Sequence, residues 1–192
     1  MEVYIDFDRT LFDTDNFLND LYNIIADNNI DLKIFKKYCI KENKHGFNVY
    51  NVLARIKNID NIDNIIKKID TLISNCNNYL YNDSYEFLNK LKVYGYKVNL
   101  LTKGNEEFQL KKVNSTKLIN LFDNIIVTLK KKGELDINYE ESIFIDDNPE
   151  EIKSILKRKP KKIFRIKREN SKYNDIKVNN INEVNNLLEI NI

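Results

Sequence analysis

The chain has 192 residues, of which 42% are hydrophobic and 31% are charged, and its formal net charge at pH 7 is +2. This length supports one full hydrophobic core with a small appended unit, and the nearly balanced charge gives no argument for binding to nucleic acid or an anionic membrane. The two cysteines, Cys39 and Cys76, have neither a metal-binding spacing nor the pattern of a disulfide framework. No apolar stretch is long enough to span a bilayer, and the chain opens on a strand pattern without a basic and apolar leader, so we expect a cytoplasmic protein.

The first predicted element is a buried strand at residues 3–5, which ends in the acidic residues Asp6 and Asp8. Successive side chains on a strand point to opposite faces, so the two carboxylates share a face if the strand continues. Ionised carboxylates removed from water must be paired or bound to a metal, and open parallel sheets bind ligands at the carboxyl ends of their strands. A single Asp-x-Asp is more often a pair of surface aspartates, so the rest of the chain must decide.

Helical periodicity replaces the strand pattern after this point. Apolar residues recur at helical spacing over residues 17–25, with Asp15 or Asn16 as a candidate cap. Further amphipathic segments follow at residues 32–40, 47–56 and 62–80. We therefore predict that residues 14–80 form a helical unit inserted after the first strand.

Strands and helices alternate in the remainder of the chain. Asp83 is a candidate cap for a helix that Gly95 ends. Strands are predicted at residues 96–101, 124–128, 142–145 and 162–166, and further helices at residues 106–113, 149–156 and 184–188. Alternation of this kind is typical of βαβ units. We predict an α/β fold, a three-layer sandwich with a parallel, Rossmann-like sheet of about five strands.

Three of these strands end in polar residues directly before a turn or a helix. The residues are Asp6 and Asp8, then Thr102, then Asp146 and Asp147. The carboxyl ends of parallel strands meet at one edge of the sheet, so we expect these side chains to converge there.

The order of these motifs resembles that of the haloacid dehalogenase (HAD) superfamily. In chain order they are Asp6-Phe7-Asp8-x-Thr10, Thr102, a lysine within residues 130–132, and Asp146-Asp147. Each motif alone is weak evidence, whereas four in order on the correct elements are fairly specific. The resemblance covers residues 1 to about 168 and is to HAD phosphatases with an inserted α-helical (C1-type) cap. It implies a catalytic core at residues 1–13 and 81–192 and a cap at residues 14–80.

The resemblance implies phosphoryl chemistry through two of the acids. Asp6 would be the nucleophile that forms an aspartyl-phosphate, which splits one difficult step into two. Asp8 would be the general acid and then the base, which requires a pKa nearer neutrality than that of a free Asp. A carboxylate that approaches a phosphate dianion is repelled by about 4 kcal/mol per charge pair at roughly 4 Å and an effective dielectric near 20. A cation must offset this repulsion, and hard oxygen ligands beside a phosphate favour Mg²⁺.

The resemblance also implies the ligands of that Mg²⁺ ion. In the family they are the carboxylate of the first Asp, the backbone carbonyl of the second, and an acid of the fourth motif. These correspond here to Asp6, Asp8 and Asp147. Asp146 would lie in the outer shell, without binding the ion directly. The assignments of Asp146 and Asp147 could be reversed.

The phosphoryl group would be held mainly by the segment after the second predicted strand. Thr102 precedes Gly104 and a helix start, where a hydroxyl and backbone N–H groups can hold phosphoryl oxygens. Lys103 and Thr10 are further candidate substrate-binding residues.

The lysine of the third motif would pair with the nucleophile and the phosphate. Lys132 is favoured, followed by Lys131, and Lys130 stays open because the segment before the fourth motif is shorter than in many relatives. The surplus lysines are expected to be solvated.

Arg9 departs from the family pattern, because many relatives have Gly at this position. Glycine tolerates backbone angles that are closed to other residues. The backbone at Arg9 is therefore either ordinary, which we favour, or its side chain reaches the substrate phosphate.

Several weaker candidates have structural alternatives. His45 is expected on the surface, because no partner cluster surrounds it. Gln109 and Lys112 follow the helix start after Thr102 and are equally compatible with a structural or a substrate-facing position. The basic run at residues 157–162 fits a solvated helix end better than a nucleic-acid patch.

The function that this resemblance implies is a Mg²⁺-dependent phosphomonoester hydrolase. Its partner would be a small phosphorylated metabolite, a nucleotide or a sugar phosphate, and nucleic acid and membranes are not expected partners. The alternatives are a phosphomutase on the same core and a non-catalytic module that binds a phosphorylated ligand or a protein. The sequence indicates no oligomeric state.

Overall fold

The computed structural model describes residues 1–169, 171–179 and 181–192. Its strands in this part of the chain are β1 (Glu2–Ile5), β2 (Lys97–Lys103), β3 (Asn124–Thr128), β4 (Ser142–Asp146), β5 (Lys162–Ile166) and β6 (Asn182–Val184). They form one sheet in the order β3-β2-β1-β4-β5-β6, and every neighbouring pair is parallel. The predicted α/β fold with a parallel, Rossmann-like sheet is confirmed.

The helices flank this sheet and fill the long interval after its first strand. They are α1 (Thr14–Asp27), α2 (Leu32–Glu42), α3 (Val49–Ala54), α4 (Ile62–Ser74), α5 (Asn82–Val93), α6 (Glu106–Asn114) and α7 (Pro149–Leu156). Helices α1 to α4 lie in the predicted insertion, whose status as a separate cap stays a prediction. Among the described residues, no helix combines the length and the hydropathy needed to cross a membrane.

The central strand β1 is covered on both faces, as expected for a strand between two parallel neighbours. Val3 and Ile5 belong to a large apolar cluster that continues into the helices after β1, where it includes Phe17 and Ile65. Tyr4 points to the other face and belongs to a smaller cluster. The sheet is therefore the middle layer of the sandwich, and its larger core is shared with the inserted helices.

The predicted final helix at residues 184–188 is wrong. Strand β6 pairs with β5 instead, and a single 3₁₀ turn, Leu187–Glu189, follows it. The backbone N–H of Lys167 donates to the carbonyl of Val184 at 2.8 Å. An apolar segment this short cannot repay helix nucleation, whereas the open edge of β5 offers backbone hydrogen bonds at once.

The predicted capping role of Asp83 is also wrong, although Gly95 ends α5 as expected. Helix α5 has Tyr81 at its N-cap without a side-chain cap hydrogen bond. The buried Asp83 carboxylate instead accepts from Arg168 at 2.7 and 2.8 Å and from the N–H of Leu187 at 2.8 Å. Gly95 has a φ of +75°, and its N–H donates to the carbonyl of Lys92. Local helix signals were correct where no tertiary partner competed for the side chain.

Candidate active site

Three carboxylates meet where β1 and β4 end. Asp6, Asp146 and Asp147 each offer an oxygen atom within 4.8 Å of the others, and all three residues are buried. Ile5 and Ile145 are in register, and the N–H of Asp6 donates to the carbonyl of Ile145 at 2.9 Å. Adjacent parallel strands therefore bring the acids of the first and fourth motifs together, as the strand-end pattern predicted.

Lys132 is the lysine that reaches this cluster. Its Nζ donates to Asp6 Oδ1 at 2.5 Å and to Asp146 Oδ2 at 2.6 Å, and the side chain is buried. Lys130 and Lys131 are exposed. Of the three lysines left open by the sequence, Lys132 has the geometry of a partner for the predicted nucleophile.

The turn that carries Lys132 is held by Glu151, a residue of α7 that sequence reasoning missed. The N–H of Lys132 donates to Glu151 Oε2 at 2.8 Å, and Lys103 Nζ donates to Glu151 Oε1 at 2.8 Å. Asn148 at the N-cap and Pro149 in the first turn mark the start of this helix, where the sequence predicted it. The available sequence signal for Glu151 was its position on the inward face of the first turn of α7.

The two acids of β4 and its end differ in their hydrogen bonds. Both carboxylate oxygens of Asp146 have hydrogen-bond donors, because Oδ2 accepts from Lys132 and Oδ1 accepts from the N–H of Asn148 at 2.8 Å. Asp147 Oδ2 is buried and has no hydrogen-bond partner among the described residues. A buried carboxylate oxygen without a donor fits a cation. The donor pattern therefore favours Asp147 over Asp146 as a direct metal ligand.

Electrostatics of the cluster point the same way. Burial, together with the charge of Asp6, raises the pKa of Asp147 well above its ordinary value. Burial raises the pKa of Asp6 to about 7, against the opposing charge of Lys132. Crowded, buried carboxylates favour their protonated forms, and a divalent cation would relieve the same repulsion.

Asp8 lies in a separate polar contact that involves α1 and α6. Its Oδ1 accepts from Lys112 Nζ at 2.6 Å and from Thr14 Oγ1 at 2.8 Å, and its Oδ2 accepts from Gln109 Nε2 at 2.7 Å. Burial alone would raise the pKa of Asp8, but the Lys112 ammonium and these hydrogen bonds outweigh it and lower the pKa. The expected pKa nearer neutrality is therefore not found in this arrangement. Gln109 and Lys112, which the sequence left undecided, both face Asp8.

The segment after β2 brings Thr102, Lys103 and Gly104 to the same place. Thr102 is buried, and its Oγ1 accepts from Gln109 at 2.8 Å. Asn105 caps α6 by accepting from the N–H of Phe108 at 3.0 Å. The predicted phosphoryl-holding residues thus adjoin a capped helix N-terminus, the arrangement that favours anions.

Thr10 does not join these residues, although it was a candidate for substrate binding. Its side chain is fully buried, and its carbonyl accepts from Arg168 Nη2 at 2.6 Å and Nε at 3.1 Å. Thr10 is not one of the described residues that line the cavity at the strand ends. It supports the loop after Asp8 from behind.

Arg9 has a left-handed backbone, with φ at +60°, so the ordinary conformation that we favoured is wrong. The residue adopts the glycine-like geometry of its position despite its Cβ. Its side chain forms a double contact with Asp15, at 3.0 Å from Nε and 2.6 Å from Nη2. Asp15 is therefore not the cap of α1, a role that belongs to Asp13, which accepts from the N–H of Asn16 at 3.1 Å.

One cavity of about 650 Å³ joins these groups. This volume lies in the range of small-molecule sites. The strand ends form one side of the cavity, and the region of the inserted helices forms the other through Phe17, Tyr22, Lys44 and Phe47. His45 is exposed, as predicted, and so is most of the basic run at residues 157–162.

The loop after β5 also contributes to the cavity, which sequence reasoning missed. Lys172 and Tyr173 line it, with Lys172 Nζ 4.8 Å from the centre of the Tyr173 ring. This polar segment has no periodicity, so only its position after a strand could have indicated it.

Gly46 brings the inserted region into direct contact with the loop after β2. Its φ is +81°, and a Cβ at this position would lie 2.2 Å from the backbone N of Asn105 and 2.6 Å from the backbone C of Gly104. Asn48 Nδ2 also donates to Asn105 Oδ1 at 3.2 Å. This approach of two backbones closes the cavity on that side.

Gly46→Ala is expected to destabilise the protein more than Gly95→Ala. Gly95 also has a positive φ, but nothing lies within 4 Å of an added Cβ, so its variant meets only backbone strain of about 1–2 kcal/mol. The Gly46 variant adds overpacking against backbone atoms, and we expect an additional loss of about 1–3 kcal/mol. Urea denaturation of both variants measures the difference. Equal losses would contradict the close approach at Gly46.

Comparison with known proteins agrees with this architecture. The family model for haloacid dehalogenase-like hydrolases matches residues 3–164. No curated protein sequence gives a significant match.

Several solved structures share the fold. A proposed haloacid dehalogenase-like hydrolase from Burkholderia xenovorans has a TM-score of 0.75 at 13% identity, over 96% of this chain and 92% of that one. The Bacillus subtilis protein YfnB, a proposed HAD-hydrolase bound to magnesium, has a TM-score of 0.65 at 15% identity, over 98% and 95%. A proposed β-phosphoglucomutase from Thermotoga maritima has a TM-score of 0.59 at 16% identity, over 98% and 91%. At these identities the structures demonstrate the fold alone, and the family match over most of the length assigns the chain itself. The chain belongs to the family of haloacid dehalogenase-like hydrolases.

Proposed function

We propose that this protein is a Mg²⁺-dependent phosphomonoester hydrolase that works through an aspartyl-phosphate. The observation that carries the proposal is the meeting of Asp6, Lys132 and the Asp146-Asp147 pair, which lie beside Asp8 and Thr102 in one cavity. Asp6 is the nucleophile, and its carboxylate attacks phosphorus. Lys132 orients Asp6 and supplies positive charge beside it.

The donor set fits Mg²⁺. Asp6 and Asp147 would bind the ion through carboxylate oxygens and Asp8 through its backbone carbonyl, while Asp146 holds Lys132. The unpartnered, buried Oδ2 of Asp147 supports this assignment. When bound, the ion would offset the repulsion between the nucleophile and the phosphoryl oxygens.

The remaining residues hold the phosphoryl group and move the proton. The Thr102 hydroxyl and the N–H groups near Gly104 would bind the phosphoryl oxygens at the start of α6. Asp8 is ionised beside Lys112, which is the form that takes a proton from water when the aspartyl-phosphate is hydrolysed. In the first step Asp8 must carry a proton, which it gives to the leaving oxygen, and this donation returns it to the ionised form. Its presence favours phosphoryl chemistry over dehalogenation, because a leaving oxygen needs a proton donor and a halide does not.

We further propose that residues 14–80 act as a cap over a catalytic core at residues 1–13 and 81–192. Residues of the inserted region line the cavity opposite the strand ends, and Gly46 contacts the loop after β2. A cap in this position excludes water from the first step and limits the substrate to a small phosphorylated metabolite.

Metal removal tests the proposal. The purified protein is expected to hydrolyse p-nitrophenyl phosphate with Mg²⁺, to lose this turnover in excess EDTA, and to regain it when Mg²⁺ is restored. Full turnover in EDTA would contradict the metal assignment. Absence of turnover with Mg²⁺, together with metal-dependent binding of inorganic phosphate, would favour the non-catalytic module. Following ³¹P from a sugar phosphate separates hydrolysis from the phosphomutase alternative.

A further inference from the structure

Apart from Lys44 of the inserted region, two cations that line the cavity take no part in the proposed chemistry. Among the described residues that line it, the inner lysines each have a carboxylate partner: Lys132 pairs with Asp6 and Asp146, Lys112 with Asp8, and Lys103 with Glu151. Lys172 has no such partner within the described part of the chain, and its ammonium faces a tyrosine ring. The second is Arg9, which lines the same cavity.

The placement of Arg9 leaves part of its guanidinium free. Asp15 accepts from Nε and Nη2 and so fixes the plane of the group. Nη1 has no hydrogen bond to any residue that the structure describes, and the side chain lines the cavity. A left-handed backbone is unfavourable for any residue with a Cβ. The contact with Asp15 nevertheless holds the guanidinium in the lining of the cavity.

Lys172 is carried by a loop that Arg165 links to the backbone of the acidic cluster. The buried Arg165 of β5 donates from Nη1 to the carbonyl of Ile176 at 2.5 Å and from Nη2 to the carbonyl of Tyr173. Its Nε contacts the carbonyl of Asp147 at 3.4 Å. The Arg165 guanidinium therefore links the Lys172 loop to the backbone of Asp147, the proposed metal ligand, and fixes their relative positions.

The two cations line the same cavity. Partial burial and the charge of Arg9 lower the pKa of Lys172, while Asp147 and Asp15 act in the opposite direction. Two neighbouring positive charges repel each other unless an anion lies between them.

The charged side chains that line the cavity allow such an anion to bind. Six cationic and five anionic side chains line it. Asp15 lies outside the lining and balances Arg9. Lys172 is therefore the cation that a second acidic group on the substrate would neutralise.

We propose that Arg9 and Lys172 form a second anion subsite beside the phosphoryl site, and that preferred substrates are phosphomonoesters with a further carboxylate or phosphate group. This inference rests on the proposed phosphatase function and narrows its substrate class. The planar guanidinium suits either group through paired N–H donors.

Matched substrates test the subsite. Ethyl phosphate, phosphoglycolate and ethylene glycol bisphosphate differ in having no second acid, a carboxylate or a phosphate. The wild-type protein is expected to have a higher kcat/KM for at least one of the two acid-bearing esters than for ethyl phosphate. Lys172→Gln should lower the ratio of kcat/KM for that ester to kcat/KM for ethyl phosphate by about tenfold or more, which is the effect of losing one charge-assisted hydrogen bond. The acid-bearing ester whose kcat/KM falls more in Lys172→Gln identifies the natural second group.

Lys177→Gln is the matched control, because Lys177 is exposed on the same segment and does not line the cavity. It should keep the wild-type ratio within about twofold. Arg9→Gly removes the guanidinium and relieves the backbone, so it should lower the ratio without a large loss of thermal stability. An unchanged ratio in Lys172→Gln, or an equal fall in the control, would overturn the subsite.

Binding separates this proposal from the phosphatase itself. Calorimetric titration of phosphoglycolate and ethyl phosphate into the protein with Mg²⁺ requires no turnover. Weaker binding of phosphoglycolate to Lys172→Gln than to wild type supports the subsite even if neither ester is hydrolysed. Equal binding by both proteins overturns it even if p-nitrophenyl phosphate is a substrate.

Discussion

Asp6→Asn is expected to abolish phosphatase turnover, with a loss of about ten-thousand-fold or more in kcat/KM, because the nucleophile is removed from the first covalent step. The amide is nearly the same size as the carboxylate but cannot form an acyl phosphate. Lys132 keeps its second partner, Asp146, at 2.6 Å, so the site should not collapse. Since burial raises the pKa of Asp6, loss of its charge should not destabilise the metal-free protein.

The measurement is the initial rate with p-nitrophenyl phosphate and Mg²⁺, with circular dichroism and thermal unfolding to establish that the variant is folded. Asp136→Asn serves as the control, because it makes the same chemical change at an exposed position outside the cavity. Turnover by Asp6→Asn within tenfold of wild type would exclude Asp6 as the nucleophile. A comparable loss in the control would indicate a general effect of the substitution.

Arg168→Met is expected to cost about 3–5 kcal/mol of unfolding free energy, because it leaves the carboxylate of Asp83 buried without its charge partner. The pair is buried on both sides, with side-chain exposures of 7% and 4%. Arg168 also donates to the carbonyl of Thr10, and Asp83 accepts from the N–H of Leu187. The substitution therefore breaks a network that joins the loop after Asp8, the start of α5 and the final turn of the chain.

Urea denaturation measures this loss against two references. Lys153→Met removes an exposed pair with Glu150, with exposures of 47% and 68%, and should change the free energy of unfolding far less than Arg168→Met, because water screens an exposed pair. The double variant Arg168→Met/Asp83→Leu removes both charges and should recover part of the loss, since no unpaired carboxylate stays buried. A single-variant loss no larger than that of Lys153→Met would contradict a structural role for the Arg168 pair.

The active-site arrangement required both local pattern and tertiary contacts. Asp6, Thr102 and Asp147 could be placed in advance, because each follows a short apolar strand and parallel strands end at one edge. Lys132 could be favoured among three lysines, but only the contacts of its Nζ with Asp6 and Asp146 distinguish it from the other two. The order of Asp146 and Asp147 likewise depended on which oxygen was left without a donor.

The sequence by itself determined the class of fold, the positions of most helices and strands, and the family, because periodicity and strand-end motifs are local properties of the chain. Only the tertiary structure decided how the remaining polar residues are used. Lys112 contacts Asp8 across 104 positions, and Arg168 contacts Asp83 across 85. A charged side chain takes the partner that best compensates its burial, and that partner is chosen by folding in space. For the same reason Asp83 pairs with Arg168 and does not cap its own helix, and Asp15 pairs with Arg9 while Asp13 caps α1.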